Sequence, residues 1–353
     1  MEKKLFYFMA LAAVLSACSE DYEPGEILLG ANFTLPEPEV TTRSESTSLQ
    51  GNNLDTKQNH AGVYIYYKDA TSTSTDGYGY LNVGYTPLAS VGGKCDLSDP
   101  TRIPYYPASQ NQNIDLYAYA PRQTFTSATQ TTEPELSTCT AVPFTTETDQ
   151  STDANYIASD FIWGTLKNLA PKTKSGNSRV NIQMNHMMSK IQVKLVEGHS
   201  MAGKLAGATV QINNVQPAGM LNLTTGDATV STATDGKVSV IMGKNLKSAT
   251  DAVPADYVSG SGGAPTDEAT HQVYEAACVI YPQTISKDNL LEITLSSNNG
   301  GTSYKFTASG DQTFEAKKIY TYTIQVNATG IELTTTVTDW ATGQEISGEA
   351  NYD

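Results

Sequence analysis

Cys18 carries the most explicit chemistry in the chain. It closes the run MEKKLFYFMALAAVLSAC, in which Lys3 and Lys4 give a positive start, Leu5 to Leu15 an apolar stretch, and Ser16-Ala17 the small residues of a cleavage site. Leu15-Ser16-Ala17-Cys18 has the form of a bacterial lipobox, where cleavage leaves the cysteine as the lipid-modified N-terminus. A plain signal peptide with a chance cysteine is the other reading. The apolar stretch is shorter than the roughly 20 residues a spanning helix needs. Export and anchorage through lipid are therefore expected, with residues 1–17 removed and residues 18–26, an acidic stretch, acting as a tether.

Other constellations are weaker. Gly198-His199-Ser200-Met201-Ala202-Gly203 approaches the G-x-S-x-G nucleophile elbow, but Ala202 stands where the close turn needs glycine. It reads as a surface turn. Asp149, Asp153 and Asp160 fall in polar sequence, where solvated carboxylates or a weak Ca²⁺ site fit better than acid–base catalysis. Gly77-Tyr78-Gly79 lacks the third glycine of a dinucleotide fingerprint. His186 leads an apolar run and reads as a structural histidine at a strand start. No Cys or His spacing resembles a zinc site, so the chain is read as a non-enzyme with no catalytic residues, no metal and no cofactor. Beyond Cys18 the cysteines are Cys95, Cys139 and Cys278. A Cys95–Cys139 pair is open in an oxidising compartment, and Cys278, within an apolar run, reads as a buried thiol.

The elements that would hold such residues read as strands. The 353 residues suffice for two domains. Net charge is −15, from 37 acidic and 22 basic residues, which argues against nucleic acid as a partner. Tyrosines outnumber phenylalanines 20 to 8, a strand-rich composition. Ile27, Leu29, Ala31, Phe33 and Leu35 alternate with polar or outward positions, the period of a half-buried strand. A polar, protease-accessible stretch over 40–60 follows. Short strands then recur between Ser, Thr and Gly turns: 62–67, 80–88, 103–106, 114–120, 180–184, 186–195, 208–215, 219–223, 237–242, 274–281, 290–296, 304–308, 319–326 and 331–340. Residues 123–152 carry few apolar anchors. Lys167–Ser178 has linker chemistry, which places an N-terminal β-sandwich over 27–170 and a C-terminal one over 178–353. Trp163 and Trp340 read as packing aromatics. The tyrosine clusters (Tyr64, Tyr66, Tyr67; Tyr105, Tyr106; Tyr117, Tyr119) read as cross-strand pairs or as a carbohydrate-stacking platform.

Several segments together resemble the fimbrillin family, the subunits of type V pili. They are the lipobox at Cys18; the first strand followed by Thr42-Arg43-Ser44; Tyr105-Tyr106-Pro107 leading to Leu116-Tyr117-Ala118-Tyr119-Ala120-Pro121; His186-Met187-Met188-Ser189-Lys190-Ile191; Val279-Ile280-Tyr281-Pro282-Gln283-Thr284; and Thr338-Asp339-Trp340. The resemblance implies an all-β fold of two tandem transthyretin-like, Greek-key sandwiches. It implies a surface-exposed lipoprotein of the outer membrane that joins a fimbrium by strand exchange. Its partners would be other pilus subunits, the membrane through the lipid, and a host protein or glycan in adhesion. By position, Arg43-Ser44 is the cut that would release the plugs Ile27, Leu29, Ala31, Phe33 and Leu35. Ile331, Leu333 and Val337 form a candidate donor strand of the same period, with a last strand folded into its own domain as the plainer reading. A surface glycan-binding lipoprotein is the alternative function.

Overall fold

The computed structural model describes residues 27–34, 61–69, 78–87, 94–97, 103–107, 109, 111–123, 139–171, 179–198, 201–232, 236–246, 273–327 and 330–339. In chain order the strands are β1 (Gly30–Thr34), β2 (Ala61–Asp69), β3 (Tyr78–Pro87), β4 (Lys94–Leu97), β5 (Gln112–Ala120), β6 (Val142–Thr145), β7 (Ile162–Leu169), β8 (Arg179–Gln183), β9 (Asn185–His186), β10 (Ser189–Glu197), β11 (Thr209–Val215), β12 (Ala218–Asn222), β13 (Asp227–Val230), β14 (Val238–Ile241), β15 (Gly243–Leu246), β16 (Val273–Ile280), β17 (Gln283–Ile285), β18 (Leu291–Thr294), β19 (Ser303–Phe306), β20 (Gln312–Phe314), β21 (Lys318–Asn327) and β22 (Gly330–Asp339). One α-helix, α1 (Asp153–Ser159), lies between β6 and β7. Thr152 caps it, its side chain accepting from the Asn155 N–H at 3.3 Å. Its seven residues are too few to announce a helical period, which is why no helix was expected here.

The first sheet has the order β8-β1-β4-β3-β2-β5-β7-β9. Its two edge strands, β8 and β9, are separated by Met184 alone, so the sheet curls until its edges come together. Gly164 of β7 marks the contact: a Cβ there would stand 2.3 Å from the Gln183 carbonyl and 2.9 Å from Ile182. Only glycine fits so close an approach. Inside the curl lies a core of Leu29, Phe33, Val63, Ile65, Val83, Tyr85, Leu116, Ala118, Val180 and Ile182.

In the second half a five-stranded sheet, β15-β16-β10-β21-β22, faces a four-stranded one, β14-β11-β18-β19. Alternate residues of β10 (Ile191, Val193, Leu195), β16 (Ala276, Cys278, Ile280) and β21 (Tyr320, Tyr322, Ile324, Val326) meet Val210, Ile212, Leu291 and Ile293 in the core between them. The period-two rule therefore holds on both faces of this sandwich.

A third core was not anticipated. Tyr64, Tyr66, Tyr117 and Tyr119 leave the outer face of the first sheet and pack with Phe144, Tyr156, Phe161, Met187, Met188, Leu221, Ala277, Val279, Tyr281 and Ile319. This cluster joins the two halves. It corrects the reading of the tyrosines as a platform: Tyr64, Tyr66, Tyr106, Tyr117 and Tyr119 are buried and offer no exposed ring to a sugar.

Other expectations are adjusted. Residues 142–145 form β6, which pairs with β12 of the second half, so the polar stretch 123–152 holds a structural strand. The run 186–195 is broken at Met187 and Met188, with β9 and β10 on either side. Strand β7 continues to Leu169, and residues 179–186, beyond the linker-like segment, pair into the first sheet. Cys139 and Cys278 are free, buried thiols, so the Cys95–Cys139 pair is not made. Asp160 is buried rather than solvated, against His186. His199 and Ser200 lie outside the described residues, as do Trp340 and the segment containing Cys18.

Candidate functional site

Strand β1 is the first element of the chain to be described, yet it occupies an interior place in the first sheet. It pairs antiparallel with β4 (Ala31↔Cys95, Asn32↔Lys94) and parallel with β8 (Gly30↔Arg179 through Thr34↔Gln183). Its alternation translates directly into burial. Ile27, Leu29, Ala31 and Phe33 are 5, 1, 2 and 0 % exposed, whereas Leu28 is 42 % exposed. Phe33 meets Tyr85 edge-on, ring centroids 5.9 Å apart.

Polar contacts fix the register. The Tyr85 hydroxyl donates to the Leu29 carbonyl at 2.9 Å. The Leu29 N–H donates to the Pro104 carbonyl at 2.9 Å, and the Tyr106 N–H to the Ile27 carbonyl at 2.8 Å. Arg179 reaches the Ala31 carbonyl at 3.3 Å, and Asn32 donates to Asn181 at 2.8 Å. The arrangement makes and breaks no covalent bond. It is a slot between β4 and β8 that accepts one extended segment with an apolar side chain at every second position. Burying Ile27, Leu29 and Phe33 at ~1.5–3 kcal/mol each contributes roughly 5–9 kcal/mol, and withdrawal would leave two rows of backbone groups unpaired.

Among the described residues, strand β22 is the edge of the five-stranded sheet and pairs with β21, from Asn327↔Gly330 to Lys318↔Asp339. Leu333 and Val337 stand opposite Ile324 and Tyr320, and Ile331 packs partly buried against the second core. The structure thus places the sequence-derived plugs 27–33 together in one groove. The residues 331, 333 and 337 lie on one strand more distant in the fold. Leu35, Arg43 and Ser44 lie outside the described residues.

Sequence reasoning missed the seam between the halves. A strap, residues 142–150, crosses from the first half onto the second. Strand β6 pairs with β12, the Ile241 N–H donates to the Thr148 carbonyl at 2.8 Å, and the Gln150 N–H donates to the Ile241 carbonyl at 2.8 Å. Gln150, wholly buried, then uses its side-chain amide as a peptide surrogate on β16: Oε1 accepts from the Val279 N–H and Nε2 donates to the Val279 carbonyl, both at 2.8 Å. Nearby, Asp160 and His186 meet at 2.8 Å. The Trp163 indole N–H bonds the Leu223 carbonyl, and the Lys317 ammonium stands 5.7 Å over its ring. Burial pushes the phenols of Tyr66, Tyr119 and Tyr281 well above their usual range. A strand flanked by polar residues and a lone Gln in Thr-rich sequence give no periodic signal, which is why the strap was illegible.

Comparison with known proteins supplies the context. A family model for fimbrillin-like proteins matches residues 42–340. A curated relative from Bacteroides uniformis, described as a fimbrium subunit, is 25 % identical over 356 residues, covering 97 % of each chain. A solved structure of a cell adhesion protein from Bacteroides ovatus is similar with a TM-score of 0.59 at 16 % identity, covering 90 % of this chain and 99 % of that one. Another, from Bacteroides uniformis, has a TM-score of 0.52 at 19 % identity and covers 89 % and 99 %.

Proposed function

The chain belongs to the fimbrillin-like family, and from that premise we propose that it is a structural subunit of a cell-surface fimbria, acting in adhesion and assembled by strand exchange. One observation supports the reading: the first described strand lies inside the sheet, paired on both sides, with Ile27, Leu29, Ala31 and Phe33 buried. Cys18 holds the exported precursor on the outer membrane by lipid, with residues 18–26 as the tether. Cleavage between Arg43 and Ser44 then removes lipid and strand together. The vacated slot accepts a strand of another subunit by donor-strand complementation. Strand β22, with Ile331, Leu333 and Val337, is the proposed donor. The chain divides into two sandwiches, and the strap 142–150 and strand β8 cross between them. Uncut, the same precursor would serve as a lipid anchor.

The test is cleavage-dependent assembly. Cells expressing the wild-type chain are expected to yield a product beginning at Ser44 that runs as heat-resistant multimers. Arg43→Ala should accumulate as a lipidated monomer. Assembly of Arg43→Ala into multimers, with the cleaved wild-type protein staying monomeric, would overturn the proposal.

A further inference from the structure

We propose that strand β8 couples occupancy of the β1 slot to the seam and to the central sheet of the second half. The inference rests on β1 being the exchangeable strand. Among the described residues, strand β8 is the edge of the first sheet, and its ladder there is the parallel pairing with β1. The chain then runs on without a loop. Met184 separates β8 from β9, and β9 pairs with β7 through Trp163↔Asn185 and Ile162↔His186.

The next two residues are just as constrained. The Met187 N–H donates to the Phe161 carbonyl at 3.0 Å, and the Met188 carbonyl accepts from the Lys317 N–H at 2.8 Å. Both methionines are fully buried in the third core. Strand β10 follows immediately and is the middle strand of its sheet, between β16 and β21. Residues 179–197 are therefore one continuous, paired segment with no slack to absorb a shift at its start. Strand β21 in turn pairs with β22.

A segment leaving or entering the slot changes the strand that β8 pairs with among the described residues of its sheet. Whatever order β8 loses is passed to β9, whose neighbours are the Asp160–His186 pair and Trp163. The side chains of β1 act on the same segment, because Ile27, Leu29, Ala31 and Phe33 share the first core with Val180, Ile182 and Met184 and stay out of the third core. Slot occupancy and the seam thus act on one continuous segment, and the coupling runs through it.

Hydrogen exchange on the full-length chain tests this. Phe33→Ala loosens β1 through a side chain that does not touch the seam. Val63→Ala, also in the first core but on β2, removes apolar volume without weakening the β1–β8 ladder. Phe33→Ala should speed exchange across residues 179–197 by about tenfold or more, with a red shift of Trp163 emission in a Trp340→Phe background. Val63→Ala should leave both close to the parent. Equal effects from the two variants, or no change in 185–197 with Phe33→Ala, would overturn the coupling.

If Phe33→Ala fails to fold, a site-specific protease site placed within 35–60 releases β1 from the parent chain. A peptide of residues 27–35 is then added back. Restored protection in 185–197 supports the coupling, and unaltered protection after release refutes it. Neither arm uses Arg43. Loss of natural cleavage would sink the assembly proposal alone, and an unresponsive 185–197 would sink the coupling alone.

Discussion

Gln150→Ala should destabilise the protein far more than a loop substitution ordinarily does. In the native state the wholly buried amide satisfies the N–H and the carbonyl of Val279 and also donates to the Glu147 carbonyl at 3.0 Å. Alanine leaves two buried backbone groups of β16 without partners. At ~1–3 kcal/mol for each orphaned group the cost is roughly 2–6 kcal/mol. Gln150→Glu separates geometry from volume. Its carboxylate accepts from the Val279 N–H but faces the Val279 carbonyl without a proton to give. The folded state therefore favours the protonated acid, and its pKa rises above the unfolded value of about 4.3. A folded state that binds more protons loses stability as pH rises. Relative to the parent, Gln150→Glu should be least destabilised below about pH 4 and progressively more so above it. Urea titration followed by tryptophan emission at several pH values measures both effects. A Gln150→Ala cost under about 1 kcal/mol, or a pH-independent difference between Gln150→Glu and the parent, would refute the surrogate-peptide role of this side chain.

Phe33→Ala removes a ring with no solvent exposure, packed edge-on against Tyr85, and should cost about 3–5 kcal/mol in thermal or urea unfolding. Gly226 sits at φ +75°, and a Cβ there would lie 2.5 Å from the Trp163 ring. Gly226→Ala should therefore cost about 2 kcal/mol or more from backbone and clash together, and should shift Trp163 emission. Burial pushes the Cys139 thiol up to about 12 and the Cys278 thiol higher still. Peptide mapping after iodoacetamide at pH 8 should find both unmodified in the native protein and alkylated in urea, since the thiolate is the reactive form.

Much of this fold was legible because burial on one face writes a period of two into the sequence. Ile27 to Phe33 alternate and so does their burial, and Ile191, Val193 and Leu195 share the second core although β10 is buried along nearly its whole length. The all-β class and most strand positions follow from that physics. Legibility failed wherever a segment is buried on both faces or held by backbone alone. Strand β5 is buried along nearly its whole length, so its tyrosines carry no mark that they face a third core rather than water. Strand β6 alternates over four residues only, too short to stand out in a Thr-rich stretch. The seam residues Gln150, Asp160 and His186 are polar by type, and their burial depends on partners 26 to 129 residues away.

The tyrosine content follows from the same architecture. The outer face of the first sheet must be apolar enough to pack against the second half and polar enough to satisfy groups brought in by strands from elsewhere. Tyrosine meets both demands, since its ring supplies area and its hydroxyl a donor. Tyr281 donates to the Phe144 carbonyl at 3.0 Å, tying β6 to the second half, and Tyr119 donates to Asn82 at 2.7 Å on the first sheet's own face. Phenylalanine at these places would keep the packing and orphan the acceptors. The slot is built differently: Ile27, Leu29, Ala31 and Phe33 carry no side-chain hydrogen-bonding group, and the specific polar contacts to β1 run through its backbone and Asn32. Under the proposed exchange, an incoming strand of the same period would have few polar side chains to match. The seam is held by side-chain hydrogen bonds at Gln150, Trp163 and Tyr281, each to a specific backbone group. The proposed exchange therefore falls at the interface where the buried apolar side chains of β1 make no hydrogen bonds, and the seam is expected to stay closed.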